Sequence, residues 1–184
     1  MPPPKQRKIC VMGFRAVGKS TITIQFVENH SPDTYNPTIE NTYKKIIKHQ
    51  GQEYATEIID TAGQDEYSIL NNKYSIGIHG YILVYSVASR SSLETIKALN
   101  DKILNSLGTE KIPRVLVGNK SDLVNERVIS KEEAQSLANE WDCAFVECSG
   151  KNNENVEEVF KQILNEVGKS QQTEPPQKEG CILM

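Results

Sequence analysis

The sequence Gly13-Phe-Arg-Ala-Val-Gly-Lys-Ser20 matches the phosphate-binding loop pattern G-x-x-x-x-G-K-[ST]. A short apolar run at residues 9–12 precedes it, and a helical pattern of apolar residues at 22–27 follows it. The match therefore lies between a predicted strand and a predicted helix, which is the context that the pattern requires. An ordinary strand-to-helix turn with two glycines is the alternative reading.

The residue types of this loop suit a nucleotide polyphosphate. Gly13 and Gly18 allow backbone conformations that a side chain would block. The N–H groups of the loop can then turn inward and bind phosphate oxygens at the positive end of the helix dipole. Lys19 adds a positive charge at the β- and γ-phosphates, and the hydroxyl of Ser20 is a ligand for Mg²⁺.

Length and composition are those of one soluble globular domain. The chain has 184 residues, 38% of them apolar, and a formal charge of −3, so no bulk positive charge favours nucleic acid. The four cysteines lack metal-ligand spacing. We expect neither a signal peptide nor a membrane-spanning segment, and we expect reduced thiols in the cytosol.

Strand-like and helical patterns alternate almost throughout the chain, which predicts an α/β fold. The sheet is predicted to be mostly parallel and six-stranded, with helices on both faces and ligands at the carboxyl ends of the strands. A loop without periodicity is predicted at residues 30–42. The predicted strands lie at residues 7–12, 43–48, 53–59, 80–85, 115–118 and 144–148, and the predicted helices at 19–28, 67–74, 91–107, 131–141 and 156–167.

The pentapeptide Asp60-Thr-Ala-Gly-Gln64 follows an apolar strand and carries groups for the γ-phosphate end of the site. The Asp60 carboxylate can hold Mg²⁺ through water, the Gly63 N–H can approach the γ-phosphate, and Gln64 can orient an attacking water. Thr38, in the loop at 30–42, can add its hydroxyl to Mg²⁺ and its N–H to the γ-phosphate. A loop tied down only by that phosphate is released on hydrolysis, which makes a two-state switch. A threonine in an ordinary turn is the alternative reading of Thr38.

The run Asn119-Lys-Ser-Asp122 follows another predicted strand and indicates guanine rather than adenine. The Asp122 carboxylate can accept two parallel hydrogen bonds, from N1–H and the 2-amino group of guanine, and adenine lacks that pair of donors. Asn119 would brace the loop and touch the base edge, and the Lys120 stem would lie along the base plane. Asp122 therefore argues against an ATP-dependent P-loop kinase or ATPase.

These residues and their order resemble the Ras superfamily of small GTPases over residues 6–168. The resemblance implies the P-loop small GTPase fold, binding of GTP and GDP with Mg²⁺, slow hydrolysis of GTP, and a monomer. The positions with an implied role in hydrolysis are Lys19, Gln64, Tyr35 and Arg15. The implied nucleotide-binding positions beyond those already named are Ala16, Val17, Thr21, Pro32, Tyr35, Ser149 and Gly150.

Three segments, at residues 37–42, 60–68 and 81–87, together with Arg15 in place of a usual glycine, resemble the Rheb branch of that superfamily. The resemblance implies that the GTP form activates the TOR kinase complex and that a tuberin-type GAP supplies an asparagine. Tyr35 would lie across the phosphates. Arg15 can crowd Gln64 or block an incoming arginine finger. A GTP-binding module with negligible turnover and a different Ras-like signalling GTPase are the alternatives.

Two residues of the base site depart from the usual pattern of this superfamily. Ser31 replaces a phenylalanine that packs over guanine, which predicts faster release of GDP. Gly150 replaces an alanine; its N–H, which would meet the guanine oxygen O6, is retained, but glycine is expected to loosen the loop.

The carboxyl terminus Cys181-Ile-Leu-Met184 fits the C-a-a-X prenylation signal, which predicts a farnesyl group on Cys181. We expect a GTP-binding domain at residues 1–168 and a disordered tail at 169–184. The tail has neither a basic patch nor a second cysteine, and one lipid chain binds membranes reversibly. The predicted location is the cytosolic face of endomembranes of the lysosome, ER or Golgi type, with a prenyl-binding chaperone as a candidate partner.

Overall fold

A computed structural model of the chain describes residues 3–31, 40–63 and 72–173. Within these ranges the strands are β1 (Lys5–Gly13), β2 (Glu40–His49), β3 (Gln52–Thr61), β4 (Gly80–Ser86), β5 (Arg114–Asn119) and β6 (Ala144–Glu147). The α-helices are α1 (Lys19–Glu28), α2 (Arg90–Leu107), α3 (Lys131–Trp141) and α4 (Val156–Thr173). Short 3-10 helices lie at Asn72–Tyr74 and Val124–Glu126.

The strands form one sheet in the order β2-β3-β1-β4-β5-β6. Only β2 runs antiparallel to its neighbour among the described strands, and the other neighbouring pairs are parallel. The predicted α/β class and mostly parallel six-stranded sheet are thus confirmed. Because β1, β3, β4, β5 and β6 are parallel, their carboxyl ends meet at one edge of the sheet.

Helices cover both faces of the sheet, as predicted. On one face, α1 and α4 pack against the sheet, and the Phe26 and Phe160 rings stack with their centroids 3.9 Å apart. On the other face, α2 and α3 bury apolar residues such as Leu93 and Ala134. The strand β4 is buried along its whole length between the two layers, which explains why residues 81–85 within it are all apolar or aromatic.

Side-chain caps and turns set several of the helix boundaries. The sequence Ser130-x-x-Glu133 is a capping box and predicts a cap for α3. The Ser130 hydroxyl accepts a hydrogen bond from Glu133 N at 3.1 Å, which confirms that cap. Ser89 caps α2 in the same way, and Gly108 ends that helix in the left-handed conformation with φ 62°.

Two of the larger differences from the predicted boundaries involve contacts between segments distant in sequence. The helix α4 continues through Thr173, past the predicted domain boundary at residue 168. Its last turn is held to β1, since Arg7 Nη2 donates to Gln171 Oε1 at 3.0 Å. The predicted loop at 30–42 is shorter, because Glu40 already pairs with Thr61 in the β2–β3 ladder.

Residues 174–184, and with them Cys181, lie outside the described part of the chain. So does most of the helix predicted at 67–74, whose described end is the 3-10 helix Asn72–Tyr74. Among the described helices, none combines the length and the apolar character needed to cross a membrane.

Candidate nucleotide site

The loop between β1 and α1 has a backbone that only glycine fits at two positions. Gly18, the cap of α1, has φ 95°, and a Cβ there would lie 2.2 Å from Asn119 Nδ2. A Cβ on Gly13 would lie 2.3 Å from Val84 O. These close approaches form a narrow loop at the amino end of α1, and such a loop suits bound phosphate groups.

Lys19 is a buried cation in this loop. The residue is 5% exposed, and its ammonium donates to Phe14 O at 2.9 Å. Burial lowers the pKa of Lys19 to about 8, and the nearby Asp60 carboxylate partly opposes that shift. An anion bound in the loop would offset the cost of burying this charge.

Ser20 and Asp60 bring oxygen atoms together beside Lys19. Ser20 Oγ donates to Asp60 Oδ2 at 2.5 Å, at the end of β3. Asp60 is fully buried, and its Oδ1 lacks a hydrogen-bond partner within the described part of the chain. Burial raises the pKa of Asp60, while Ser20 and Lys19 lower it. A buried carboxylate oxygen without a partner, next to a hydroxyl, fits the oxygen ligands that Mg²⁺ prefers.

Asn119 ties the phosphate loop to the base side of the site. Asn119 Nδ2 donates to Val17 O at 2.8 Å, and its Oδ1 accepts from Gly150 N at 3.0 Å. Lys120, in the left-handed conformation with φ 64°, donates from Nζ to Ala16 O at 2.7 Å. Asn119 therefore braces the loop, as predicted. The Gly150 N–H that was expected to meet guanine O6 donates to Asn119 in this structure, because the two loops lie this close together.

The segment that follows β6 packs against Asp122 and α1. Ser149 Oγ donates to Asp122 Oδ1 at 2.8 Å. A Cβ on Gly150 would lie 3.1 Å from Thr21 Cγ2 and 3.2 Å from Ile22 Cγ1. Glycine thus fits the close approach of α1 to this segment, and the looser loop expected from sequence stays a prediction.

These groups surround a cleft of about 240 Å³ between α1 and the loop after β5. Sequence reasoning missed Leu123 and Lys151 among its walls. They directly follow predicted site residues, and that adjacency was the available signal. The lining residues are Gly18, Thr21, Asn119, Lys120, Asp122, Leu123 and Lys151.

Arg15 and Gly63 meet on the other side of the loop. A Cβ on Gly63 would lie 2.6 Å from Arg15 Cα, so the two backbones are in close contact. The exposed Arg15 guanidinium lies over the Phe14 ring, 5.0 Å from its centroid. The structure thus places Arg15 against the segment that leads to Gln64.

The remaining predicted site residues lie outside the described part of the chain. Their roles stay predictions from sequence. They are Pro32, Tyr35, Thr38 and Gln64.

Comparison with known proteins identifies GTP-binding relatives, which agrees with a nucleotide site at this place in the fold. A model of the Ras family matches residues 8–169. The chain is 80% identical to the GTP-binding protein Rheb homolog of Dictyostelium discoideum, over 100% of both chains. It is 58% identical to the GTP-binding protein rhb1 of Schizosaccharomyces pombe and 52% identical to the GTP-binding protein Rheb of Homo sapiens, again over 100% of each chain.

The protein is therefore a small GTPase that binds GTP and GDP with Mg²⁺ and acts as a switch toward effectors and regulators. Its phosphate-loop sequence, the neighbouring oxygens of Ser20 and Asp60 and the aspartate beside the cleft fit the parts that such an activity needs. The chain belongs to the Ras family, within its Rheb group.

Proposed function

We propose that the GTP-bound form of this chain stimulates the TOR kinase complex and that hydrolysis to GDP ends the stimulation. The observation that carries the proposal is the 80% identity, over the full length of both chains, to a protein named as a Rheb homolog. The resemblance of the three segments at 37–42, 60–68 and 81–87 to the Rheb branch points in the same direction.

In this proposal the described residues divide the nucleotide between them. Asp122, held by Ser149, reads the N1–H and 2-amino groups of guanine. The buried Lys19 neutralises the β- and γ-phosphates. Ser20 and Asp60, with Thr38 from outside the described residues, hold Mg²⁺, which supplies charge neutralisation at the phosphates when bound.

The test of the effector proposal is a kinase assay with purified TOR complex. We expect the chain loaded with a non-hydrolysable GTP analogue to raise phosphorylation of a TOR substrate, and the GDP-loaded chain to leave it at the basal rate. The matched control is the Asp122→Asn variant. It is loaded in one reaction with the non-hydrolysable GTP analogue and in a second reaction with the corresponding xanthosine triphosphate analogue. Equal stimulation by the GTP- and GDP-loaded chains would contradict the proposal.

We also propose that intrinsic hydrolysis is slow and that a tuberin-type GAP accelerates it with an asparagine. The backbone of Arg15 lies against Gly63, the residue before Gln64 in sequence, and this contact supports the proposal that Arg15 crowds Gln64 or an incoming arginine. The same observation favours a second candidate, a GTP-binding module with negligible turnover. Single-turnover phosphate release with and without the GAP separates the two, since only a switch shows acceleration.

A variant of Gln64 tests the crowding by Arg15. We expect Gln64→Leu to change intrinsic hydrolysis little, and Arg15→Gly to restore a dependence on Gln64. A large loss of intrinsic rate in Gln64→Leu alone would refute this part of the proposal.

For location, we propose farnesylation of Cys181 and reversible binding to the cytosolic face of endomembranes, with a prenyl-binding chaperone as carrier. The support is the C-a-a-X sequence with Met184 at its end and the lack of a basic patch beside it. Live-cell imaging of a fluorescent fusion should show exchange between endomembranes and cytosol, and Cys181→Ser should be cytosolic throughout. Stable residence at the plasma membrane would contradict the proposal.

A further inference from the structure

An ion pair joins Arg127 and Glu147, which lie in sequence beside the two segments that carry Asp122 and Ser149. Arg127 Nη1 donates to Glu147 Oε2 and Nη2 donates to Glu147 Oε1, both at 2.8 Å, so the side chains meet through two parallel hydrogen bonds. Nη1 also donates to Ile129 O at 3.0 Å. The two side chains are 27% and 13% exposed. Paired geometry and partial burial make this contact stronger than a typical surface ion pair.

Two segments, residues 119–122 and 148–150, carry the predicted base-binding residues, and we call them the base-facing segments. The ion pair connects these two segments. Glu147 is the last residue of β6 and directly precedes the second segment. Arg127 follows the first segment after one short 3-10 helix. The contact therefore joins the chain leaving the first segment to the chain entering the second.

Further hydrogen bonds join the same two segments at their centre. Ser149 Oγ donates to Asp122 Oδ1 at 2.8 Å, and Ser121 N donates to Cys148 O at 3.1 Å. Asp122 is thus held directly by Ser149. It is also held indirectly by the ion pair to Glu147, because Arg127 ends the short 3-10 helix that follows Asp122. The direction of the Asp122 carboxylate depends on the distance between the two segments.

We propose that the ion pair between Arg127 and Glu147 is a positioning element for guanine specificity, acting through Asp122. This inference rests on the proposed reading of guanine by Asp122. Without the pair, the partly buried partner is left uncompensated and the base-facing segments move apart. The carboxylate of Asp122 then loses its alignment with the two guanine donors, while the phosphate loop keeps its own contacts to the phosphates.

The experiment compares release of GDP with release of IDP, because hypoxanthine lacks the 2-amino group that Asp122 reads. A hydrogen bond to a charged acceptor corresponds to about a ten- to hundredfold change in affinity, so we expect wild type to release IDP faster than GDP by roughly that factor. The two test variants are Arg127→Met and Glu147→Gln. In each we expect the ratio of the IDP release rate to the GDP release rate to fall below about threefold, mainly because GDP release becomes faster.

Lys111→Met is the control, since Lys111 also makes an ion pair, with Asp142, that lies before β5 and β6 at the opposite edge of the sheet. It should keep the wild-type ratio, and thermal unfolding of the GDP complexes shows whether each variant is folded. If Arg127→Met and Glu147→Gln speed the release of GDP and IDP equally, the pair is merely structural and the inference is overturned. If wild type itself does not distinguish GDP from IDP, the proposed role of Asp122 fails instead.

Discussion

Replacing Lys19 by methionine should stabilise the nucleotide-free protein while removing its response to nucleotide. Burial lowers the pKa of Lys19 from 10.5 to about 8, and the residue is 5% exposed. This difference corresponds to about 3 kcal/mol by which burial of the cation lowers the free energy of unfolding at neutral pH. The figure already includes the attraction to Asp60. It is an upper limit, because methionine also loses the hydrogen bond to Phe14 O.

The pH dependence of the free energy of unfolding tests independently whether burial of the Lys19 charge destabilises the fold. Between pH 8 and 10.5 the unfolded chain holds a proton on Lys19 that the folded chain has lost. The free energy of unfolding of the wild type should therefore rise with pH across this window relative to Lys19→Met. Lys97→Met, which removes an exposed lysine beside Glu94, is the control for loss of a lysine charge.

The assay is urea unfolding with EDTA and without nucleotide, at about pH 7 and about pH 10, repeated at neutral pH with GDP and Mg²⁺. Without nucleotide, the free energy of unfolding of Lys19→Met should exceed that of the wild type at neutral pH, and this difference should disappear at high pH. With GDP and Mg²⁺ the wild type should gain stability by mass action and the variant should not. A variant that is less stable than the wild type at neutral pH without nucleotide would refute the reasoning.

Three further variants test the close packing of the phosphate loop, the charge of a half-buried histidine and the stacking of a side chain on the base. Gly18→Ala places a Cβ 2.2 Å from Asn119 Nδ2 at φ 95°, so GDP affinity should fall by about tenfold or more in a competition assay; wild-type affinity would contradict the required close approach. Burial lowers the pKa of His79, whose Nδ1 accepts from Lys8 N at 2.8 Å. The unfolded chain therefore binds more protons below about pH 6.5, and wild type should lose thermal stability there while His79→Asn, which keeps an acceptor, does not; parallel pH profiles would rule this out. Ser31→Phe should slow the release of fluorescent GDP, and an unchanged rate would remove the idea that this serine weakens base stacking.

Local sequence determines some boundaries of this fold completely. The phosphate-loop pattern fixes both sides of the first turn, and α1 was predicted and observed at Lys19–Glu28. Ser130 and Glu133 predict the start of α3 because a cap is a contact between residues three apart. Order along the chain was also enough to place Asp60 and Asn119 at one edge of the sheet, since parallel strands end on the same side.

Other boundaries depend on partners that local patterns do not contain. The last turn of α4 has no apolar stripe in sequence, and its Gln171 is bound by Arg7 from the opposite end of the chain. The start of β2 at Glu40 depends on its register with Thr61. In each case the backbone conformation is decided by a contact between segments distant in sequence, so composition and periodicity predicted coil.

Asn119 shows the same limit within the site itself. Its residue type predicted a side chain that both braces a loop and touches the base. The structure uses Nδ2 for Val17 O and Oδ1 for Gly150 N, so both ends of the amide already join three segments of chain. The contact of Asn119 with the base stays a prediction. The Asp122 carboxylate, which we propose to read guanine, is bound on one oxygen by Ser149. In our proposal, specificity for guanine therefore depends on how firmly the surrounding loops are tied together. The ties come from pattern residues such as Asn119 and Ser149 and from Arg127 and Glu147, which lie outside the pattern.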